Sequence, residues 1–223
     1  AISKKGGATV TIVSSATASN DVWFAPASTT SFSAGVTMTM AASGTATSIA
    51  APANAGTYYL YVIDTAGNIS SASTVALTVE NTAPTITGTT VAADNTTIAV
   101  TFSEAVFDTT GGSGALEVGD FSLTISGGTA TINAAPSSIS ISDNVYTLGL
   151  NLSGTPDGSE IVTVVPSSAT AIYDAVANAA STSQSNNTVS LNDEAVPTNQ
   201  NTVFANAISK KGGATVTIVS SGD

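Results

Sequence analysis

Apolar and polar residues alternate with a period of two along much of this chain. Ile98, Val100 and Phe102 are interleaved with Ala99 and Thr101, and Phe121, Leu123 and Ile125 with Ser122, Thr124 and Ser126. Tyr146, Leu148, Leu150 and Leu152 form a third such run around Thr147, Gly149 and Asn151. Successive side chains of a strand point to opposite faces, so each run predicts a strand with one buried and one wet face. Helical spacing does not persist over three turns anywhere. Only residues 171–180 have the composition of a short helix, and DAVANAA within them reads equally well as a loop. Strand-like runs recur every 8 to 15 residues or so, bounded by Gly, Asn, Asp or Ser, which predicts an all-β chain of antiparallel sandwiches.

The run AISKKGGATVTIVSS at residues 1–15 returns unchanged at 207–221, an offset of 207 − 1 = 206 residues. After the first copy the text reads ATASND and after the second GD, so neighbouring repeats are close relatives and not duplicates. A period of 206 residues means an array of whole domains, since solenoid units run only about 20–50 residues. Two segments inside the period read as joints, NTAP at 81–84 and NDEAVP at 192–197; each follows a strand-like run and ends in Pro, which cannot donate to a ladder. They divide the chain into a first module at 1–81, its first strand supplied by the preceding segment, a second at 82–196, and the start of the next repeat at 197–223.

Composition narrows the chemistry. The 223 residues include no His, no Cys and no Arg; the cations are Lys4, Lys5, Lys210 and Lys211 against 15 acids, for a net charge of −11. A chain with so few cations cannot neutralise a phosphate backbone, which excludes nucleic acid as a partner, and insertion into a membrane is not expected. Hydrophobic residues make up 42% of the chain and mean hydropathy is +0.30, so the polar fraction, mostly uncharged Thr, Ser, Asn and Gly, accompanies enough apolar material for two cores. No apolar stretch approaches the ~20 residues of a membrane helix.

From NTAPTITGTTVAADNTTIAVTFSEAVF onward the second module resembles the bacterial Ig-like modules of S-layer and giant repeat surface proteins, in which a TFSE-V strand follows an NTAP joint. SGTPDGSEIVTVVPSSATAIYDAVANAAS is similar to the end of the same modules, and TYYLYVIDTAGNISSASTVALTVENTAP gives the first module a related signature. The resemblance implies two tandem Ig-like antiparallel β-sandwich modules per repeat, an extracellular or cell-surface location, and Ca²⁺ at the module joints. Candidate ligands are Asp64, Asn68 and Glu80 with Asp174, Asn178, Asp193 and Glu194, although no dense D-x-D-x-D pattern is present and Asp64 and Asn68 also read as the cap of a D-T-A-G-N turn. Where the family has Gly in D-x-x-G-N, this chain has Ala177, which argues against a tight positive-φ turn there.

Without imidazole, thiol or guanidinium the available catalytic chemistry reduces to a carboxylate pair, for which Glu104, Glu117 and Asp120 are the candidates; Glu104 also reads as a water-facing strand end. The chain is therefore not expected to be an enzyme. Lys4 and Lys5 read as a solvated loop before a strand, or as the amine of an Asn crosslink of the kind some Ig-like modules form. Four N-x-[ST] sequons, at Asn68, Asn95, Asn151 and Asn186, are within chance for such a composition. Trp23, Tyr58 and Tyr61, with Val216 and Ile218 of the second copy, are the candidate contact residues between copies of the chain. The expected function is a structural repeat of a long surface fibre, sheath or adhesin stalk; a glycan- or cell-binding module, or a filament subunit joined by C-terminal strand donation, is the alternative.

Overall fold

The computed structural model describes residues 1–13, 20–29, 39–41 and 46–197. These residues are all β: sixteen strands and one 3-10 turn at Val118–Asp120, with no α-helix among them. They pack as two compact units, one made of described residues within 1–85, 102–120 and 166–183, the other of 86–101, 121–165 and 184–197.

The first unit carries β1 (Ile2–Lys4), β2 (Thr9–Val13), β3 (Asn20–Ala25), β4 (Thr39–Ala41), β5 (Ala46–Ala50), β6 (Gly56–Ile63) and β7 (Ala76–Val79). One sheet has the order β1-β7-β6-β3-β4, and the antiparallel pair β2-β5 forms a second layer. Val22, Phe24, Leu77 and Val79 of the larger sheet meet Val10, Ile12 and Ile49 of the smaller, with Tyr58, Leu60 and Val62 partly buried against them. Period-two alternation produces this arrangement: even positions of β3 and β6 face the second layer, while Trp23 and Tyr61, cross-strand partners, are buried on the opposite face. β1 runs parallel to β7 with Ile2 opposite Leu77 and Lys4 opposite Val79. Between β6 and β7 the chain bulges, and the hydroxyls of Ser70 and Ser73 accept the Val62 and Leu60 amides (2.9 and 3.0 Å) in place of a regular ladder.

The second unit is built on β8 (Ile86–Val91), β9 (Thr97–Phe102), β10 (Phe121–Ser126), β11 (Thr131–Ile132), β12 (Ile139–Ser142), β13 (Val145–Gly149), β14 (Leu152–Ser153), β15 (Ile161–Pro166) and β16 (Thr188–Ser190). The sheet β12-β13-β9-β8 faces β10-β15-β16, and the Phe121 and Tyr146 rings meet between them with centroids 6.1 Å apart. Ile98, Val100, Leu148, Val162 and Val164 are fully buried. Burying each such side chain contributes about 1.5–3 kcal/mol.

One expectation is corrected. The run at 146–152 is two strands: Gly149 turns its backbone to Ser137 and Ser138 (3.0 and 2.9 Å), Leu150 donates to Thr96 (2.8 Å), and Leu152 then starts a separate pairing with Ile132. Of the two readings open for residues 171–180, the structure takes the loop, pinned by isolated bridges from Tyr173 to Phe107 and to Ala179.

Candidate functional site

The two D-x-x-[GA]-N segments fold into the same loop. Asp64 N–H donates to Asn68 O at 3.0 Å and Asp174 N–H to Asn178 O at 3.0 Å. Asp64 Oδ1 accepts the Ala66 and Asn68 amides at 3.0 and 2.7 Å; Asp174 Oδ1 accepts those of Val176 and Asn178 at 2.9 and 2.7 Å. In both, the Asn Nδ2 donates to the Asp Oδ2 at 2.8 Å. Each Asp thus shapes its loop through short-range bonds to the backbone. In the first loop the Asn68 bonds, side chain then backbone, hold the Asp64 carboxyl below its ordinary range.

This geometry needs a left-handed residue in fourth place, where Gly67 sits at φ +87° and Ala177 at φ +77°. The tight turn is therefore kept at Ala177 despite its side chain, against the sequence expectation, because five hydrogen bonds around Asp174 over-determine it. A left-handed Ala costs roughly 1–2 kcal/mol, and glycine returns part of that as unfolded-state entropy. Ala177→Gly is expected to stabilise the first unit by about 0.5–1 kcal/mol in a urea melt, with no gain from Gly67→Ala, which should cost a similar amount.

The second loop differs from the first in what it meets. Asn178 Nδ2 also donates to Glu80 Oε2 at 2.7 Å, so one amide bridges the Glu80 and Asp174 carboxylates. Asp174 and Asn178 are only 1% and 3% exposed, whereas Asn68 is exposed. Glu80 is held at several other points: its N–H donates to Lys4 O at 3.0 Å, extending the β1-β7 ladder, and its Oε1 accepts the Thr82 amide. Next to it Asn81 accepts the Gly6 amide at 2.7 Å and donates to Ala53 O at 2.9 Å. Lys5, exposed, donates to Ala177 O at 3.4 Å. The residues read as a joint are thus tied on both sides within one compact unit.

Glu104 belongs to this cluster. It is half-buried rather than water-facing, and burial, then the charges of Asp174 and Glu80, push its carboxyl above the ordinary value of 4.5. The other two catalytic candidates close the 3-10 turn, with Glu117 N–H donating to Asp120 Oδ2 at 2.7 Å and Asp120 N–H to Glu117 O at 3.1 Å. None of the three lines either the apolar concavity between β1, β2 and β7 or the more polar one of about 240 Å³ beside Lys4, Thr110 and Ala175.

The remaining candidate ligands lie elsewhere. Asp193 accepts the Ala195 amide at 2.8 Å, and Glu194 Oε1 accepts Asn95 Nδ2 at 3.0 Å. Asn95, buried and left-handed at φ +52°, also exchanges bonds with Asn192: its Nδ2 donates to Asn192 O at 2.9 Å and its Oδ1 accepts the Asn192 amide at 2.8 Å. That sequon is consequently closed to a glycan. Val216 and Ile218 lie outside the described residues, and Trp23 and Tyr61 are buried within the chain; Tyr58, half-buried, donates to Asn54 O at 3.0 Å.

One group was invisible in the sequence. Glu160, fully buried in the second unit, receives the Thr129 and Ala130 amides on Oε1 and the Asp157 amide on Oε2, each at 3.0 Å. A Cβ on Gly128 would overlap this carboxylate, so the adjoining Gly-Gly pair is what lets the backbone approach it.

As a cation site, the joint has the right kind of donors: the carboxylates of Glu80 and Asp174 and the amide oxygen of Asn178 are hard oxygen ligands. As it stands, the Asn178 nitrogen lies between the carboxylates, and among the described residues no group of three or more His, Cys, Asp or Glu is arranged to hold a metal ion.

No family model and no curated protein matches the chain. Two solved structures match, one of them described as "Biofilm associated protein - BSP domain", at 14% identity over 88% of this chain and with a TM-score of 0.26. The match spans 29% of that structure's chain.

Proposed function

We propose that this chain is a structural repeat unit of a long extracellular fibre, sheath or stalk, whose partners are further copies of itself. The observation that carries the reading is the fate of the repeated run. Its first copy forms β1 and the start of the second layer through β2, and the chain's exit from β7 is bonded back onto it through Glu80 and Asn81. A run that opens one fold at residue 1 and returns at residue 207 is what a serial array of such folds requires. The buried acids and amides support the same reading. Asp174, Asn178, Asn95 and Glu160 are all engaged in holding backbone or one another, and the carboxylates of Glu117 and Asp120 lie at a turn.

A divalent cation, with Ca²⁺ the fitting ion, is part of this proposal at one place only, the Glu80–Asp174–Asn178 joint, where its role would be to tighten a contact that hydrogen bonds already make. The adhesive alternative is separable by experiment. The full chain on a glycan array, read with labelled protein, is expected to give no binding above that of a heat-unfolded sample; saturable binding to a defined glycan class would replace the spacer reading with an adhesive one.

A further inference from the structure

The first unit has an apolar concavity of about 230 Å³ walled by Ile2 of β1, Val10 and Ile12 of β2, Phe24, Leu60 and Leu77. Its rim is unusually apolar: Ile2 is 46% and Val75 53% exposed, and both line it. The two strands beside it have unpaired edges among the described residues, since β1 pairs with β7 and β2 with β5. A groove with apolar walls and two free strand edges offers both the ladder and the pocket that an added strand uses.

The repeat names the strand. Residue 207 is the counterpart of residue 1, so residues 199–206, NQNTVFAN, stand in sequence where a segment leading into β1 stands. Ile208 corresponds to Ile2, and Phe204 stands four residues before it in the sequence, an even spacing of the kind that shares one face wherever a segment is extended. Val203 and Phe204 are the apolar pair of an otherwise mostly polar octet.

We propose that the groove between β1, β2 and β7 receives the segment Asn199–Asn206 of another copy of the chain, with Phe204 seated against Ile2, Ile12 and Val75. In an array the preceding repeat supplies this strand to the next fold, so successive repeats share a core and are more than beads on linkers. The inference rests on the repeat reading for the identity of the occupant and on the groove for its place.

The test uses the full chain with its own segment disarmed, Val203→Asp together with Phe204→Asp, and a fluorescein-labelled synthetic peptide of residues 198–206. Fluorescence anisotropy is expected to show saturable binding, weakened at least about tenfold when the peptide carries the same two Asp changes. The same loss is expected when Val75→Asp is added to the protein. Val75 is exposed, so that variant should keep the parent's melting temperature, and a melt run alongside confirms it. Absence of binding overturns the proposal, as does binding indifferent to either set of Asp changes. Either outcome leaves the spacer reading standing, because a linear array does not require a shared strand.

Discussion

Glu160→Ala is expected to cost the second unit about 3–5 kcal/mol, because it strands the buried amides of Thr129, Ala130 and Asp157 with no acceptor and leaves a void beside Gly128. Domains of this size carry about 5–15 kcal/mol in all, so a urea melt should show the transition that includes the second unit at a far lower midpoint. The same carboxylate sets an acid limb. Burial alone would raise its pKa, but the amides of Ala130, Asp157, Glu160 itself and Thr129 outweigh it and hold the group below its ordinary 4.5. A carboxyl lowered on folding contributes stability that is complete above the unfolded value and is lost as pH falls through the folded one. Stability of the second unit should therefore decline below about pH 4.5, and Glu160→Gln should flatten that decline. An acid limb identical in the Gln variant would show that the charge on Glu160 is not what the amides recognise.

The second large effect is expected at the joint. Asn178→Asp replaces the donor that bridges Glu80 and Asp174 with a further acidic group in a buried site that already holds Glu80, Asp174 and Glu104, at a cost of about 3 kcal/mol or more to the first unit. Asn68→Asp makes the same chemical change in the matching loop, where Asn68 is exposed and bonds to Asp64, and should cost far less because solvent screens the pair. The contrast between the two melts measures the combined contribution of burial and of the Glu80 contact. Millimolar Ca²⁺ is expected to restore much of the stability lost by Asn178→Asp and to leave Asn68→Asp unchanged. Identical melts of the parent chain and of Asn178→Asp with calcium and with chelator would remove the cation from the account and leave the hydrogen-bonded joint in place.

What could be read ahead of the structure follows from periodicity. A strand that buries one face must alternate, so β9 and β10 were legible from Ile98, Val100, Phe102, Phe121 and Leu123. The break at Gly149 was not, because alternation continues through Leu150 and Leu152 while the hydrogen-bond partners change. Local motifs were legible in the same way: D-x-x-[GA]-N identified both loops, since an Asx turn is made by residues adjacent in sequence. The convergence of Glu80 with Asn178, 98 residues apart, and of Glu160 with the Gly-Gly turn about thirty residues earlier, is tertiary and leaves no mark in spacing. Ala177 taught the opposite lesson. Its Cβ argued against a left-handed turn, yet a network fixed by Asp174 and Asn178 outweighs about 1–2 kcal/mol of backbone preference.

Small-angle scattering from chains of one, two and four fused 206-residue repeats tests the central claim most directly. A load-bearing spacer predicts a maximum dimension that grows by the same increment with each added repeat. A dimension that rises only as the cube root of mass, as for a compact globule, would contradict it.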